Sequence, residues 1–154
     1  MRSLLGIAIL AIATTGCDPG WSYKAVAGQP DPMRTGGYEI SHVFGHLFTS
    51  HLEVTLDIRN MTRDPVRLDP PYVADARNQP LPEYPRRPDP HRDEHAHGRQ
   101  VTVQAGEVGH LEGHFLVRPL AGPFNRRNRE LQTLTVTVGS DQFARLAAGK
   151  LEWE

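Results

Sequence analysis

The sequence is poor in cysteine and has no long apolar run. Its 154 residues include one cysteine, Cys17, whereas exported domains that depend on disulfides carry several. The longest apolar stretch, Leu4 to Ala13, is ten residues long, and a transmembrane helix needs about 20. The composition therefore excludes a disulfide framework within the chain, and no membrane-spanning helix is expected.

Charge of a single sign is also lacking. Lys and Arg number 17 against 18 Asp and Glu, a formal net charge of −1 at pH 7. The arginines are scattered without a basic stripe or interleaved aromatic residues, and the densest group, residues 126–129, is typical of a solvated loop. No nucleic-acid partner is expected.

Common catalytic motifs are missing as well. The chain has no Gly-x-Ser-x-Gly elbow, no phosphate-binding glycine loop and no His-Glu-x-x-His pair. Glu53 and Asp57 have the spacing of exposed residues on one strand face rather than of a catalytic carboxylate pair. We therefore expect a protein that is not an enzyme. The alternative is an enzyme whose site is assembled from distant loops and leaves no motif in the sequence.

The N-terminus has the pattern of an export signal. Met1-Arg2 supplies a positive start, the apolar stretch follows, and the small residue Gly16 directly precedes Cys17. Residues 8–13 carry no charge, and Thr14 stands three places before the cysteine.

These residues resemble the lipobox of bacterial lipoproteins, in which Leu is usual at the position of Thr14. The resemblance implies a signal peptide over residues 1–16, cleavage before Cys17 and acylation of its thiol, for example with palmitate. The mature protein is then a lipoprotein of the cell envelope, anchored to the cell membrane or outer membrane and facing the periplasm or the exterior. Its partners are then the membrane, through the lipid on Cys17, and an envelope protein. An ordinary cleaved signal with a leftover thiol and an uncleaved anchor remain alternatives.

Alternating residues predict several β-strands after the signal. The clearest run is Leu52 to Arg59, in which apolar and polar residues alternate strictly, as in a strand with one buried face. Shorter runs recur at 101–103, 111–117 and 134–138, and residues 38–48 predict a strand bent at Gly45. The Pro- and Gly-rich residues 17–37 predict a flexible tether, and residues 38–154 a single β-domain.

One short helix is expected near the C-terminus. Ser140 and Asp141 are suited to cap it, and Gly149 is suited to end it. Its apolar face would comprise Phe143 and Leu146.

The strand and turn pattern over residues 38–138 is similar to the immunoglobulin-like, telokin-like domains of small bacterial lipoproteins. The resemblance lies in Val54 to Asn60, residues 66–68, and Val101 to Gly106 followed by Leu111 to Val117. It implies an all-β fold, an antiparallel immunoglobulin-like β-sandwich without the paired cysteines of antibody domains. A small β-barrel is the alternative fold, because strand count and closure cannot be read from the sequence.

The Pro-rich segment 78–98 interrupts the β pattern and contains the densest group of metal-ligand side chains. His91, His95 and His97 stand beside three acidic residues, and imidazole with carboxylate suits Zn or Cu. A solvated polar loop is the alternative interpretation, because dedicated sites need rigid support.

The remaining histidines fall into two further groups: His42, His46 and His51, and then His110 and His114. Four residues of extended strand span about 13 Å, so His110 and His114 cannot chelate one ion. Surface positions are typical of such histidines, although convergence of the groups in space would favour a metal site.

Two functions are consistent with this sequence. The first is a lipid-anchored, non-catalytic binding or structural module of the envelope, with loop 78–98 and an exposed sheet edge as contact surfaces. The second is a Zn- or Cu-binding lipoprotein that uses His91, His95 and His97. No other cofactor is expected.

Overall fold

The computed structural model describes residues 21–48, 50–84, 100–117, 126–139 and 142–150. Within them the chain forms ten strands and one 3₁₀ segment, which confirms the all-β class. No helix in these ranges is long and apolar enough to cross a membrane. The strands are β1 Trp21–Ala25, β2 Met33–Thr35, β3 Tyr38–Leu47, β4 His51–Asn60, β5 Val66–Leu68, β6 Tyr72–Ala74, β7 Val101–Val103, β8 Val108–Leu116, β9 Thr133–Val138 and β10 Gln142–Lys150, with the 3₁₀ segment Arg126–Leu131 before β9.

Most of these strands belong to one large antiparallel sheet. Its order is β6-β9-β10-β1-β3-β4-β8, with β2 paired to β3, while β5 and β7 form a separate two-stranded sheet. The immunoglobulin-like division into two facing sheets is not confirmed, because eight of the ten described strands share one continuous sheet.

Strand β4 shows how the sequence pattern builds the core. Its even-numbered apolar side chains, among them Leu52, Val54, Leu56 and Ile58, are at most 1 % exposed. Successive side chains of a strand point to opposite faces, so the odd-numbered residues of β4 lie on the outer face. The predicted strand over residues 52–59 is confirmed, and its outer face is the location of the candidate site.

Part of the predicted tether over residues 17–37 forms a strand of the large sheet. Trp21–Ala25 pairs with β10 on one side and with β3 on the other, which makes it an interior strand. Tyr23 is 1 % exposed, and its hydroxyl donates a hydrogen bond to the carbonyl of Leu131 at 2.8 Å. Burial raises the pKa of Tyr23. The aromatic residues of this segment are part of the domain rather than of a linker.

The predicted C-terminal helix is wrong. Residues Gln142–Lys150 form β10, which pairs with β9 from Gln142 opposite Val138 onward and with β1 along its other edge. Helix propensity is a weak preference that tertiary context overrides. As a strand, this segment pairs with the facing backbone edges of β9 and β1, which a helix at this place would leave unpaired.

The predicted bend in β3 occurs earlier than Gly45. The β3–β4 register shifts between Ser41 and Phe44, which is a β-bulge, and His42 there has a positive φ of 51°. Gly45 itself stays paired with Val54. A side chain at this position would be crowded, because a Cβ there would lie 3.0 Å from the Cβ of Tyr23.

Residues 79–84, the start of the Pro-rich segment, contact both edge strands of the large sheet. The amide of Leu81 donates to the carbonyl of Val73 in β6 at 2.9 Å. The amide of Leu116 in β8 donates to the carbonyl of Pro82 at 2.7 Å. The described part of the segment therefore covers sheet edges that were expected to be exposed.

Candidate functional site

The outer face of β3, β4 and β8 collects histidine and carboxylate side chains. The strand register places His46 opposite Glu53, and Glu53 opposite His114. Four residues further along β4, Asp57 lies opposite His110. We call this surface the His–carboxylate face, and its members are His42, His46, His51, Glu53, Asp57, His110, Glu112 and His114.

Within this face, His51, Glu53 and His114 form a compact cluster. One potential ligand atom from each residue lies within 4.8 Å of the other two, and all three residues are half-buried. The imidazole rings of His51 and His114 are roughly parallel, with centroids 5.9 Å apart and an interplanar angle of 26°. Two imidazoles and a carboxylate form a donor set that can hold Zn or Cu.

Aromatic rings surround His51. Phe48 stacks on it with a centroid distance of 4.4 Å and an angle of 13°, and the ring of His46 lies 4.1 Å from Phe48. Tyr84 lies on the side of β8, where its amide donates to the carbonyl of His114 at 2.9 Å. The ring centroids of Tyr84 and His51 are 5.1 Å apart. These contacts restrict the rotation of the His51 imidazole.

The environment of His51 favours its neutral form. Burial lowers the pKa of His51, and the nearby His114 and His46 lower it further, while Glu53 raises it in part. A metal ion binds the neutral imidazole, whose lone pair is available. The lowered pKa of His51 therefore favours the protonation state that a metal ligand needs.

Glu112 supports His114 from the same strand. One carboxylate oxygen of Glu112 lies 2.7 Å from Nε2 of His114, and the two side chains are 20 % and 23 % exposed. In metal sites, a ligand histidine usually hydrogen bonds through its second ring nitrogen to a carboxylate or carbonyl, which orients the ring. Glu112 can supply this support here.

A second group on the face is centred on Asp57. Its two carboxylate oxygens each lie 2.9 Å from an Nδ1 atom, Oδ2 from that of His42 and Oδ1 from that of His110. The bulge in β3 brings His42 to this position, since Ser41 is the residue that the register places opposite Asp57. Each imidazole thus contacts a different oxygen of one carboxylate.

These contacts act on the acidity of Asp57. The hydrogen bond from His110 holds the pKa of Asp57 below its ordinary value, and the hydrogen bond from His42 adds to this effect. Partial burial acts in the opposite direction. Asp57 is therefore a stabilised anion between two imidazoles.

The structure describes only some of the residues that the sequence predicted to be functional. Cys17, His91, His95 and His97 lie outside the described residues, so the lipid attachment and the loop metal site stay predictions. Among the other histidines, His110 contacts Asp57 and His114 contacts Glu112.

The sequence did not reveal the cluster itself. The alternation of residues in β4 predicts that His51 and Glu53 share one strand face, so this part of the cluster could be predicted from the sequence. The pairing of Glu53 with His114 depends on the β4–β8 register across 61 residues of sequence, which no local pattern encodes.

Comparison with known proteins adds no relative from which a role could be transferred. No family model, no curated protein and no solved structure matches this chain.

Proposed function

We propose that this protein is a lipid-anchored component of the bacterial cell envelope that acts by binding a ligand at the His51, Glu53 and His114 cluster of its His–carboxylate face. The observation that carries the binding role is the convergence of histidines from two distant sequence regions on one sheet face. His51 and His114 are half-buried neighbours there, although 63 residues separate them in sequence.

The envelope location is supported by the N-terminal segment. A positive start, ten apolar residues and a small residue before Cys17 resemble the signal and lipobox of bacterial lipoproteins. A single acyl chain gives only marginal membrane binding, so stable anchoring uses more than one hydrophobic or electrostatic contribution. The acylated Cys17 that the resemblance implies is one such hydrophobic contribution.

A binding role, rather than catalysis, agrees with the shape of the face. Catalytic groups usually work in a concave site from which water is excluded. Here the groups stand on the outer side of a sheet. The side chains of Glu112 and His114 are 20 % and 23 % exposed, and those of His42 and His110 in the Asp57 group are 79 % and 61 % exposed. Such a surface presents donors to an incoming ligand while leaving them accessible to water.

The face is a better candidate than the sheet edge for this contact. An added strand needs unpaired backbone groups on an edge strand. Residues 79–84 already hydrogen bond to β6 and to β8, at the two edges of the large sheet. Along these stretches, the available chemistry lies in side chains of the face.

The lipid anchor is tested by metabolic labelling with a palmitate analogue, using the full chain and a Cys17→Ser variant. We expect label in the wild-type protein, its recovery in the membrane fraction, and loss of both in the variant. A Thr15→Ser variant is the matched control, because it makes a small polar change beside the cysteine without removing the thiol. Equal labelling and equal fractionation of wild type and Cys17→Ser would contradict the proposal.

A further inference from the structure

The His51, Glu53 and His114 cluster points to a specific class of ligand. We infer that these three side chains bind one divalent transition-metal ion, Zn²⁺ or Cu²⁺, on the outer face of the sheet. This inference rests on the proposed function, since it names the ligand of the surface proposed there. Its ligands differ from His91, His95 and His97, which the sequence had suggested as ligands.

The donor set is suited to these ions. Zn²⁺ is bound in proteins by histidine nitrogen and carboxylate oxygen, and three protein ligands with one open position form a common site type. Cu²⁺ takes the same donors and binds tightly among the divalent ions of the first row. His51, Glu53 and His114 supply two nitrogens and one oxygen of these kinds.

The distances allow binding after a small adjustment. Bonds of about 2.1 Å with tetrahedral angles place neighbouring donor atoms about 3.4 Å apart. The potential ligand atoms lie within 4.8 Å of one another, so the side chains must close by at most about 1.4 Å. Rotations about the side-chain bonds of half-buried residues can supply this movement while the strands stay in register.

The surroundings provide the support that metal ligands require. Phe48 stacks on the ring of His51, and Glu112 hydrogen bonds to the ring of His114. Supporting contacts of this kind typically change metal affinity by about 10- to 100-fold. The carboxylates of Glu53 and Glu112 also place negative charge where the cation would lie.

The Asp57 group differs from this cluster and serves as its control. Its histidines, His42 and His110, each hydrogen bond to a different oxygen of Asp57. Removal of either histidine changes the histidine content of the same face without removing any donor of the cluster. A general effect of surface histidines can thus be separated from loss of a ligand.

The test is calorimetric titration of the chelator-treated full chain in detergent with ZnSO₄ and, separately, with CuSO₄. We expect one site of highest affinity in the wild type for at least one of the two ions. His51→Ala, His114→Ala and Glu53→Gln should each weaken it by more than about 10-fold, because ligands contribute at least as much as their supporting contacts. His42→Ala and His110→Ala should leave its affinity within about twofold of the wild type.

A variant with His91, His95 and His97 all changed to Ala separates this site from the loop. The inference is supported if that variant keeps the tightest site, and it is overturned if the tightest site is lost in that variant and kept in His51→Ala and His114→Ala. Absence of Zn²⁺ and Cu²⁺ binding in the wild type also overturns it. Labelling at Cys17 is measured independently, so a failure of the metal site and a failure of the lipid anchor give different results.

Two further measurements separate loss of a metal ligand from misfolding of a variant. Glu53→Gln keeps the size of a half-buried side chain, and circular dichroism with a urea midpoint shows whether each variant is folded. Electron paramagnetic resonance of the Cu²⁺ form should show coupling to two imidazole nitrogens in the wild type and to one in His114→Ala. An unchanged spectrum in a folded His114→Ala protein would remove His114 from the site.

Discussion

The Asp57 group makes a quantitative prediction about stability and pH. Replacement of Asp57 by Asn keeps the shape of the side chain but removes its negative charge. The carboxylate accepts hydrogen bonds from His110 and His42, each at 2.9 Å. We expect Asp57→Asn to lower the free energy of unfolding near neutral pH, because an amide cannot accept two charge-assisted hydrogen bonds in this way.

The exposure of these side chains limits the size of the effect. Asp57 is 30 % exposed, while His42 and His110 are 79 % and 61 % exposed. Exposed contacts of this kind contribute about 0.2–1 kcal/mol each, because water and salt screen them. Two of them predict a loss of about 1 kcal/mol and a decrease of about 4 °C in the melting temperature.

The pH dependence of this loss follows from the direction of the shift. The pKa of Asp57 is lower in the folded protein than in the unfolded chain, mainly because His110 donates to it. The unfolded chain therefore binds the proton more readily as the pH falls below about 4. The contribution of Asp57 is present above that pH and is lost as the pH falls through its folded-state pKa. The difference between wild type and Asp57→Asn should thus be largest above about pH 5 and shrink toward about pH 3.

Urea unfolding at several pH values measures this difference in stability from the midpoints of wild type and variant. Equal dependence of the unfolding free energy on urea concentration shows that both proteins expose the same surface when they unfold. A matched control is Glu107→Gln, which also removes one negative charge, at an exposed turn that carries no histidine contact among the described residues. The difference for Asp57→Asn should decrease in about 1 M salt, where charges are screened within about 3 Å. A difference that stays constant from about pH 7 to pH 3 would refute the assignment to the Asp57 carboxylate.

Two further substitutions test the packing behind the face. Asn60→Ala should destabilise by about 3 kcal/mol, because Asn60 is fully buried and donates to the carbonyl of Val103 at 3.0 Å; a loss below about 1 kcal/mol in urea unfolding would contradict this. Gly109→Ala should destabilise by about 2 kcal/mol, since the new Cβ would clash with Cγ2 of Val103. Gly106→Ala is the comparison for Gly109→Ala in thermal melts, because a Cβ at Gly106 meets no atom within 4 Å. Gly106 has a φ of +76°, so we expect a destabilisation of about 1 kcal/mol from backbone strain alone.

Strands with a strong local signal were predictable from the sequence. The alternation from Leu52 to Arg59 corresponds to β4, and the runs at 101–103 and 134–138 correspond to β7 and β9. A strand buried on one face must alternate in polarity, so the physical constraint is visible in the residues themselves. The all-β class followed from the same signal.

Segments whose structure depends on distant partners were not predictable. Trp21–Ala25 lies among prolines and glycines, and it becomes a strand because β3 and β10 pair with it on both sides. Gln142–Lys150 has apolar residues at helical spacing, yet it fills the position between β9 and β1. In both cases tertiary hydrogen bonding decides between conformations whose local preferences differ by little.

For the candidate site, too, one part was predictable from neighbouring residues and the other depends on the pairing of distant strands. The shared face of His51 and Glu53 follows from their spacing of two residues on β4. Their approach to His114 follows from a register that the buried residues of β4 and β8 determine, since a slip of one residue would turn the whole polar set inward. A side-chain cluster built across strands therefore becomes visible only with the fold.

The bulge in β3 links this fold to the chemistry of the face. A non-glycine residue in the left-handed region costs about 1–2 kcal/mol, and His42 has a φ of 51°. Its exposed hydrogen bond to Asp57 contributes at most about 1 kcal/mol, so the contact only partly offsets the strain. Strained residues that stability does not explain are concentrated at functional positions. The strain at His42 is therefore not explained by its exposed contact with Asp57 alone, and the stability of the sheet does not by itself account for the bulge.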